Sequence, residues 1–327
     1  MNELERSLAY KPSREELATV KKIPPRKLPK IAVVIPSFNQ AQFLPETLDS
    51  VFSQGYPRLE VFVADGGSSD ESVEILQHYK KKNPKILRYV SEPDGGQFQG
   101  VNKGIDATDG TIIAWINSDD LYLPQTFWKI VTFFHFNRCA LVVYGRNNYT
   151  DAKLNTIFEY PVDWSPVISE QRRRMMHCCL PPQPSLFFRR EAVTLSGKLA
   201  SPILDYELWL RWQRDIQFHF IDEHLSISRL HEDAKTIHDR TELIDGICEV
   251  VHEYYNTVPF SWVLQKAYND AYGPSWMEGK SPPVTRAIRM KAIASWAVLN
   301  LRLAPRSVGR GFNNLMRFAN GSLNGRV

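Results

Sequence analysis

The chain is poor in cysteine: its 327 residues include only Cys139, Cys178, Cys179 and Cys248, with no CxxC pair. That excludes a zinc knuckle or a disulfide scaffold and fits a reducing compartment, the cytosol. No stretch approaches the roughly 20 apolar residues of a membrane-spanning helix, and residues 1–30 lack the apolar run of a secretory signal. No glycine lies between Ile31 and Gln54, so the GxGxxG turn that seats a dinucleotide after a first strand is missing. Gly95 and Gly100 have the spacing of a phosphate loop, but Val101 stands where GxxxxGK needs lysine. Ordinary NAD and ATP sites are thereby disfavoured. Acidic residues are absent from the last stretch: 280–327 holds nine Lys or Arg and no Asp or Glu. Subtracting those nine charges from the net +4 leaves about −5 for the rest. An acid-free basic tail predicts an anionic partner, such as a lipid surface or nucleic acid.

A hydrophobic content of 43% with 23% charged residues is that of a folded globular chain. Apolar runs occur at Ile31–Pro36, Leu59–Ala64, Ile86–Val90 and Thr111–Ile116, with helix-like segments between them near Glu46–Gln54, Glu71–Lys82 and Gln99–Ala107. The runs are nearly continuous in apolar and β-branched residues, as suits parallel strands covered on both faces. The expected class is α/β, an open Rossmann-like sheet. A helix near Pro124–Phe136, a strand at Cys139–Tyr144, a strand-like piece at Ser185–Phe188 and a helix at Asp205–Arg214 follow. Ile288, Ala292, Trp296, Leu299 and Leu303 form one apolar stripe, read either as a helix packed on the body or as an interfacial membrane helix.

In a parallel sheet, ligands sit beyond the carboxyl ends of the strands. Three polar blocks occupy those places: Pro36-Ser37-Phe38-Asn39, Asp65 to Asp70, and Asn117-Ser118-Asp119-Asp120. Asp65 can accept hydrogen bonds from a base or ribose, or it can serve as a cap for the next helix. Asp119 and Asp120 place two carboxylates side by side, a repulsion that a Mg²⁺ or Mn²⁺ ion would relieve; a capped turn before the next helix is the plainer alternative.

Ile31–Asn39, Asp65–Asp70, Asp94–Gly104 and Trp115–Pro124, in that order, resemble the inverting family 2 glycosyltransferases of the GT-A fold. The resemblance covers roughly 31–230. It implies a nucleotide-sugar half at 31–125, an acceptor half at 126–230, an N-terminal arm at 1–30 and a helical, basic region at 231–327. By the same resemblance, Pro36, Ser37, Phe38, Asn39 and Asp65 flank and read the nucleotide base. Asp94, Gly95, Gly96, Asn102 and Lys103 line the diphosphate and sugar. Asn117-Ser118-Asp119 matches the DxD motif, with Asn117 in place of the usual first Asp, so that Asp119 is the principal metal ligand for Mn²⁺ or Mg²⁺ and His231 a helper. Gln183 and Arg189 fall in the acceptor-side segment. Asp205 corresponds to the catalytic base, with Glu207 the second choice, because Leu204 replaces one member of an acidic pair common in the family.

The implied function is metal-assisted single displacement with inversion, from a nucleoside-diphosphate sugar, a UDP-sugar favoured, to a hydroxyl of a saccharide or lipid-linked saccharide. Cell-surface polysaccharide or glycolipid assembly is the expected setting, at the cytoplasmic face of a membrane and without a nucleic-acid partner. Two other readings compete. A nucleotidyltransferase would need a glycine-rich, basic triphosphate loop after the first strand, and none is present. A non-catalytic membrane or nucleic-acid module using the basic tail leaves the polar strand ends unexplained. His177-Cys178-Cys179 is not expected to share a metal, since neighbours on an extended chain point apart; Cys139 and Cys248 are expected to fill core.

Overall fold

A computed structural model describes residues 3–201, 203, 205–232, 234, 240–273 and 282–303. Leu204, Lys280 and the stretch 304–327, which carries four of the nine tail cations, lie outside the described residues. The chain divides into two units: Met1–Arg172 with Leu180–Arg229, and Arg173–Cys179 with Leu230–Val327.

The first unit carries one nine-stranded sheet. Its strands are β1 (Ile31–Ser37), β2 (Leu59–Asp65), β3 (Leu87–Ser91), β4 (Ile112–Trp115), β5 (Leu121–Tyr122), β6 (Val142–Thr150), β7 (Thr156–Glu159), β8 (Leu186–Arg189) and β9 (Phe218–Arg229). The order is β3-β2-β1-β4-β8-β6-β9-β5, with β7 beside β6. The strands from β3 to β4 are parallel, as their unbroken apolar runs require; all seven residues of β1 are buried. Burying each Val or Ile there stabilises the fold by about 1.5–3 kcal/mol. Pro36 is tolerated in this central strand because pairing with β4 ends at Val34, so no amide hydrogen is required of it on that side.

The helices are α1 (Glu3–Leu8), α2 (Arg14–Lys21), α3 (Leu44–Phe52), α4 (Ser72–Lys82), α5 (Gln97–Ala107), α6 (Thr126–Phe136), α7 (Ile168–Met175), α8 (Arg190–Ser196) and α9 (Asp205–Trp212). The helix α5 lies close on β1: a Cβ added at Gly104 would collide with both Cγ atoms of Val34. Trp209 and Trp212 are fully buried with ring centroids 5.6 Å apart, so they are core. The N-terminal segment is part of this unit. Ser13 and Glu16 cap α2 reciprocally, Val20 and Leu28 enter the main core, and the Tyr10 N–H donates to Phe220 O on β9 at 3.1 Å.

Two departures from expectation have simple causes. The strand β9, FHFIDEHLSISR, alternates apolar and polar residues around an acidic pair and lacks a continuous apolar run. Cys139, expected in the core, is exposed at the turn after α6, whereas Cys248 is buried and burial pushes its thiol up to about 11.

The second unit is helical, with α10 (Arg240–Tyr255), α11 (Phe260–Tyr272) and α12 (Arg286–Leu303). Ile288 and Ala292 of the terminal stripe pack on Leu264 and Ala267 of α11, and the Trp296 indole donates to Val258 O at 2.7 Å. The stripe is therefore a packing face over its described part. Among the described residues, no helix is long and apolar enough to cross a membrane.

Candidate active site

The parallel strands β1, β2 and β4 end at one edge, and three polar loops meet there. Gly66 N–H donates to Ser37 O at 2.8 Å, joining the end of β1 to that of β2. Asn39 takes a left-handed conformation (φ 52°); its N–H donates to Ser68 Oγ at 2.8 Å, and its Oδ1 accepts from Ser69 N at 2.9 Å. These ties hold the chain on either side of Phe38, whose ring is 59% exposed. An exposed aromatic at a ligand edge offers an apolar face to a planar group. Just beneath it, the Ser37 hydroxyl is buried and makes no hydrogen bond. Such an atom has lost water without gaining a partner, and a bound ligand can supply one.

Asp65 is only 1% exposed. Its Oδ2 accepts from Gly67 N at 3.2 Å, Ser68 N at 2.9 Å and Ser91 Oγ at 2.6 Å, and its Oδ1 accepts from Ser68 Oγ at 2.5 Å. Both oxygens are thus occupied in organising the 65–69 loop and fastening it to β3. The structure gives Asp65 the loop-capping role beside the place a ligand would take.

Asn117 to Asp120 follow β4. Thr47 of α3, fully buried, fixes the turn: its hydroxyl lies 2.9 Å from Ser118 O and 2.8 Å from Asp120 O. The two carboxylates separate in environment. Asp120 points inward, accepting from Arg229 N at 3.0 Å, and burial together with the neighbouring Asp119 charge pushes its carboxyl well above the usual range. Asp119 is half-buried at the edge. Of the pair, Asp119 is the more exposed carboxylate and Asp120 the buried one. Arg229 lies under the turn: its guanidinium is 1% exposed, pairs with Glu46 at 2.5 Å and stacks on Phe43 at 4.6 Å.

The helix α5 starts at the same edge. Gly96, its N-cap, has φ 109°, a conformation open to glycine, and no atom lies near where a side chain would stand. The Gly96 N–H donates to Asp94 Oδ1 at 2.8 Å. From the first turn, Gln97 Nε2 donates to Asn117 Oδ1 at 2.7 Å, coupling the glycine loop to the acidic turn. On the far side, Gln183 Nε2 donates to Trp115 O at 2.6 Å and so reaches the same edge.

Asp205 opens α9 and is half-buried. Glu207 is 7% exposed and engages Arg211 through two 3.0 Å contacts, while Arg211 also donates to Ser196 O at 2.8 Å and Lys198 O at 2.6 Å. That clamp commits Glu207 to holding the loop before α9. Asn102 grips the same loop, donating to Leu199 O at 2.8 Å and accepting from Leu199 N at 3.2 Å.

The remaining candidates are Lys103, Arg189 and His231. Lys103 pairs with the exposed Glu92 at 2.7 Å. Arg189 sits at the opposite edge of the sheet, because β8 runs antiparallel to β4 and Arg189 pairs with Ile112, the first residue of β4. His231 belongs to the second unit. Among the described residues there is no group of three His, Cys, Asp or Glu placed to hold a metal.

Residues 32–193 match the protein-family model described as glycosyl transferase family 2. The chain carries a family 2 glycosyltransferase domain. It is 26% identical to an uncharacterized glycosyltransferase, RT0329, of Rickettsia typhi over 218 residues, 64% of this chain and 66% of that one. The first curated relatives are spanned over 30% to 66% of their own length. S. aureus TarS 1-349, solved in complex with UDP-GlcNAc, superposes with a TM-score of 0.53 at 15% identity, covering 85% of this chain and 82% of that chain. The mannosyltransferase PcManGT from Pyrobaculum calidifontis, solved with GDP-Man and Mn2+, gives 0.50 at 16% identity, covering 96% and 82%. These likenesses establish the GT-A type of fold for the family 2 domain.

Three residues of the domain's edge escaped the sequence reading. Thr47, Gln97 and Arg229 act through the turn they hold, and neither spacing nor residue type marks a buried threonine or a helix-start glutamine as a site residue. Arg229 had one available signal: an arginine ending a strand, where burial demands a partner.

Proposed function

We propose that the protein transfers a sugar from a nucleoside-diphosphate sugar to an acceptor hydroxyl with inversion at the anomeric carbon. The observation that carries this is the meeting of an exposed Phe38, the glycine-bearing start of α5 and a single cleft-side carboxylate, Asp119, at the carboxyl edge of the parallel strands. Phe38 offers its face to the base, with the unpaired Ser37 hydroxyl beneath it. The backbone N–H groups at the start of α5 suit the diphosphate, since a helix N-terminus favours anions.

The donor set fits a hard divalent cation bound chiefly by its substrate. One carboxylate, completed by water and phosphate oxygens, is enough for Mg²⁺ or Mn²⁺, and Asp120 is withdrawn by burial. Asp119 would hold that ion, whose chemistry is to neutralise charge on the leaving diphosphate. Asp205 takes the proton of the acceptor hydroxyl as its oxygen bonds to the anomeric carbon, while the bond from that carbon to the diphosphate oxygen breaks on the opposite face. One base and one displacement give inversion. Glu207 is the weaker candidate for base, because Arg211 occupies both its oxygens.

The acid-free stretch 280–327 favours an acceptor presented at an anionic membrane surface, as in cell-surface polysaccharide or glycolipid assembly. All four cysteines are free, which supports a reducing compartment.

The test is the melting temperature of the full chain against a panel of nucleoside diphosphates with and without Mn²⁺ or Mg²⁺, beside Asp119→Ala. Binding to the folded state alone raises it. A metal-dependent rise with one diphosphate, lost in the variant, is expected and identifies the donor's base. Absence of a rise with every diphosphate would count against the donor assignment.

A further inference from the structure

The opposite edge of the sheet has its own concentration of charge. A cavity of about 510 Å³ opens there, lined by Lys27, Lys30, Arg58, Asp109, Arg138 and Arg189 among others. Its position follows from the topology: Lys30 precedes β1, Arg58 precedes β2, Asp109 lies ahead of β4, and Arg189 ends the antiparallel β8. The cavity is thus separated from Asn117–Asp120 by the length of the strands, and nothing in the proposed transfer uses it.

Five cations face one carboxylate. Lys30 is satisfied, held by Asp109 and by Glu60 at 3.0 Å. Lys27, Arg58, Arg138 and Arg189 have no acidic partner among the described residues. Arg189 is nonetheless fixed in place: Nε donates to Ala140 O at 3.0 Å, Nη2 donates to Phe134 O at 2.9 Å, and the guanidinium stacks on the Phe134 ring at 4.8 Å. Those bonds use two of its five N–H groups. Arg58 is anchored likewise, with Nη1 donating to Leu28 O at 2.6 Å and to Arg26 O at 3.3 Å. Two guanidinium groups are therefore pre-set by backbone carbonyls with donors to spare, and two mobile-chain cations, Lys27 and Arg138, stand exposed at the rim.

Four uncompensated positive charges around one hollow repel one another, and an anion with several oxygens relieves this while taking up the spare N–H groups. Planar guanidinium groups match phosphate oxygens two at a time. We propose that this cavity binds a phosphate-bearing anion. The inference is independent of the function proposed for the carboxyl edge.

The test uses the full chain in EDTA, which silences metal-dependent binding at Asp119, with two probes: inorganic pyrophosphate by calorimetric titration, and phosphatidylglycerol vesicles by co-sedimentation. The variant is Lys27→Ala with Arg138→Ala, whose side chains make no hydrogen bond or ion pair among the described residues, so its melting temperature should match the wild type. Asp119→Ala serves as a control that should bind like the wild type. Pyrophosphate binding weakened at least tenfold in the double variant supports a soluble phosphate ligand. Vesicle binding weakened to the same degree without pyrophosphate binding supports a lipid headgroup. Failure of both probes to bind, or equal binding by wild type and double variant, overturns the proposal.

Discussion

Replacing Asp119 by Asn should make the ligand-free protein more stable while removing its activity. Asp120 is buried, and both burial and the Asp119 charge push its carboxyl well above the ordinary range. Once both are ionised, the fold carries a repelling pair of neighbouring acids, one of them without water. Two unit charges about 5 Å apart repel by about 3 kcal/mol at an effective dielectric near 20 and by about 1 kcal/mol in water. Asp119 is partly solvated, so the lower part of that range applies, about 1 kcal/mol. For a domain of this size, that is about 2–4 °C in melting temperature. An acid with a raised folded pKa binds more protons folded than unfolded, so the wild type loses stability as pH rises above the usual carboxylate range and through the raised value. The variant should lose less. Its advantage is thus largest above the raised value and shrinks as pH falls through it, where Asp120 takes up its proton. Melting curves in EDTA across the pH range in which the wild type stays folded, with sugar transfer measured in parallel, check this. A variant that melts at or below the wild type at the alkaline end of that range while retaining its circular dichroism would refute the electrostatic argument, and full metal-dependent transfer would refute the role of Asp119.

Asp205→Asn should lower kcat by about 10²- to 10⁴-fold with donor binding kept, whereas Glu207→Gln should act mainly on stability, costing about 1–3 kcal/mol through loss of the Arg211 pair; a selective kcat loss in the second variant and none in the first would exchange their roles. Gly104→Ala should destabilise by about 1–3 kcal/mol, because Val34 on β1 blocks the new methyl group, and by shifting α5 it should raise the KM for donor more than it lowers kcat; an unchanged melting temperature would show that the contact is slack. Removing 280–327 should abolish a salt-sensitive part of binding to anionic vesicles, and salt-insensitive binding, or equal binding to neutral vesicles, would remove the electrostatic role assigned to that stretch.

The half of the fold that was legible in the sequence is the half where burial on both faces forces an unbroken apolar run. The four runs from Ile31 to Ile116 could form little but parallel strands, and their polar successors had to gather at one edge. From there Ser37, Phe38 and Asp119 could be placed at that edge without coordinates, and the roles proposed for them and for Asp94 come from the family resemblance. The illegible half is set by pairing. The strand β9 alternates polar and apolar residues, and nothing in Phe218–Arg229 announces that it runs beside β6 and delivers Arg229 beneath Asp120. Arg189 illustrates the same limit from the other side: read by proximity to Gln183 it belongs with the acceptor, yet one antiparallel strand between them carries it across the sheet.

Pairing along β9 also explains how the acidic turn is arranged. Side by side in the sequence, the two carboxylates would repel each other unless a cation relieved them. Instead, the turn splits them, and the split depends on residues far along the chain: Thr47 fixes the backbone of Ser118 and Asp120, while Arg229 supplies a backbone N–H to the inward carboxyl and a buried positive charge beside it. The Arg229 charge and N–H act against the desolvation of Asp120, and Asp119 is the carboxylate of the pair that stays nearer the surface. A single accessible carboxylate binds a divalent cation weakly until phosphate oxygens complete the shell. Metal and donor binding should accordingly be linked, each tightening the other by the same factor. Titrating Mn²⁺ with and without nucleoside diphosphate measures that factor; equal metal affinity in the two titrations would mean that the ion, if bound, is held by something other than Asp119 and the donor together.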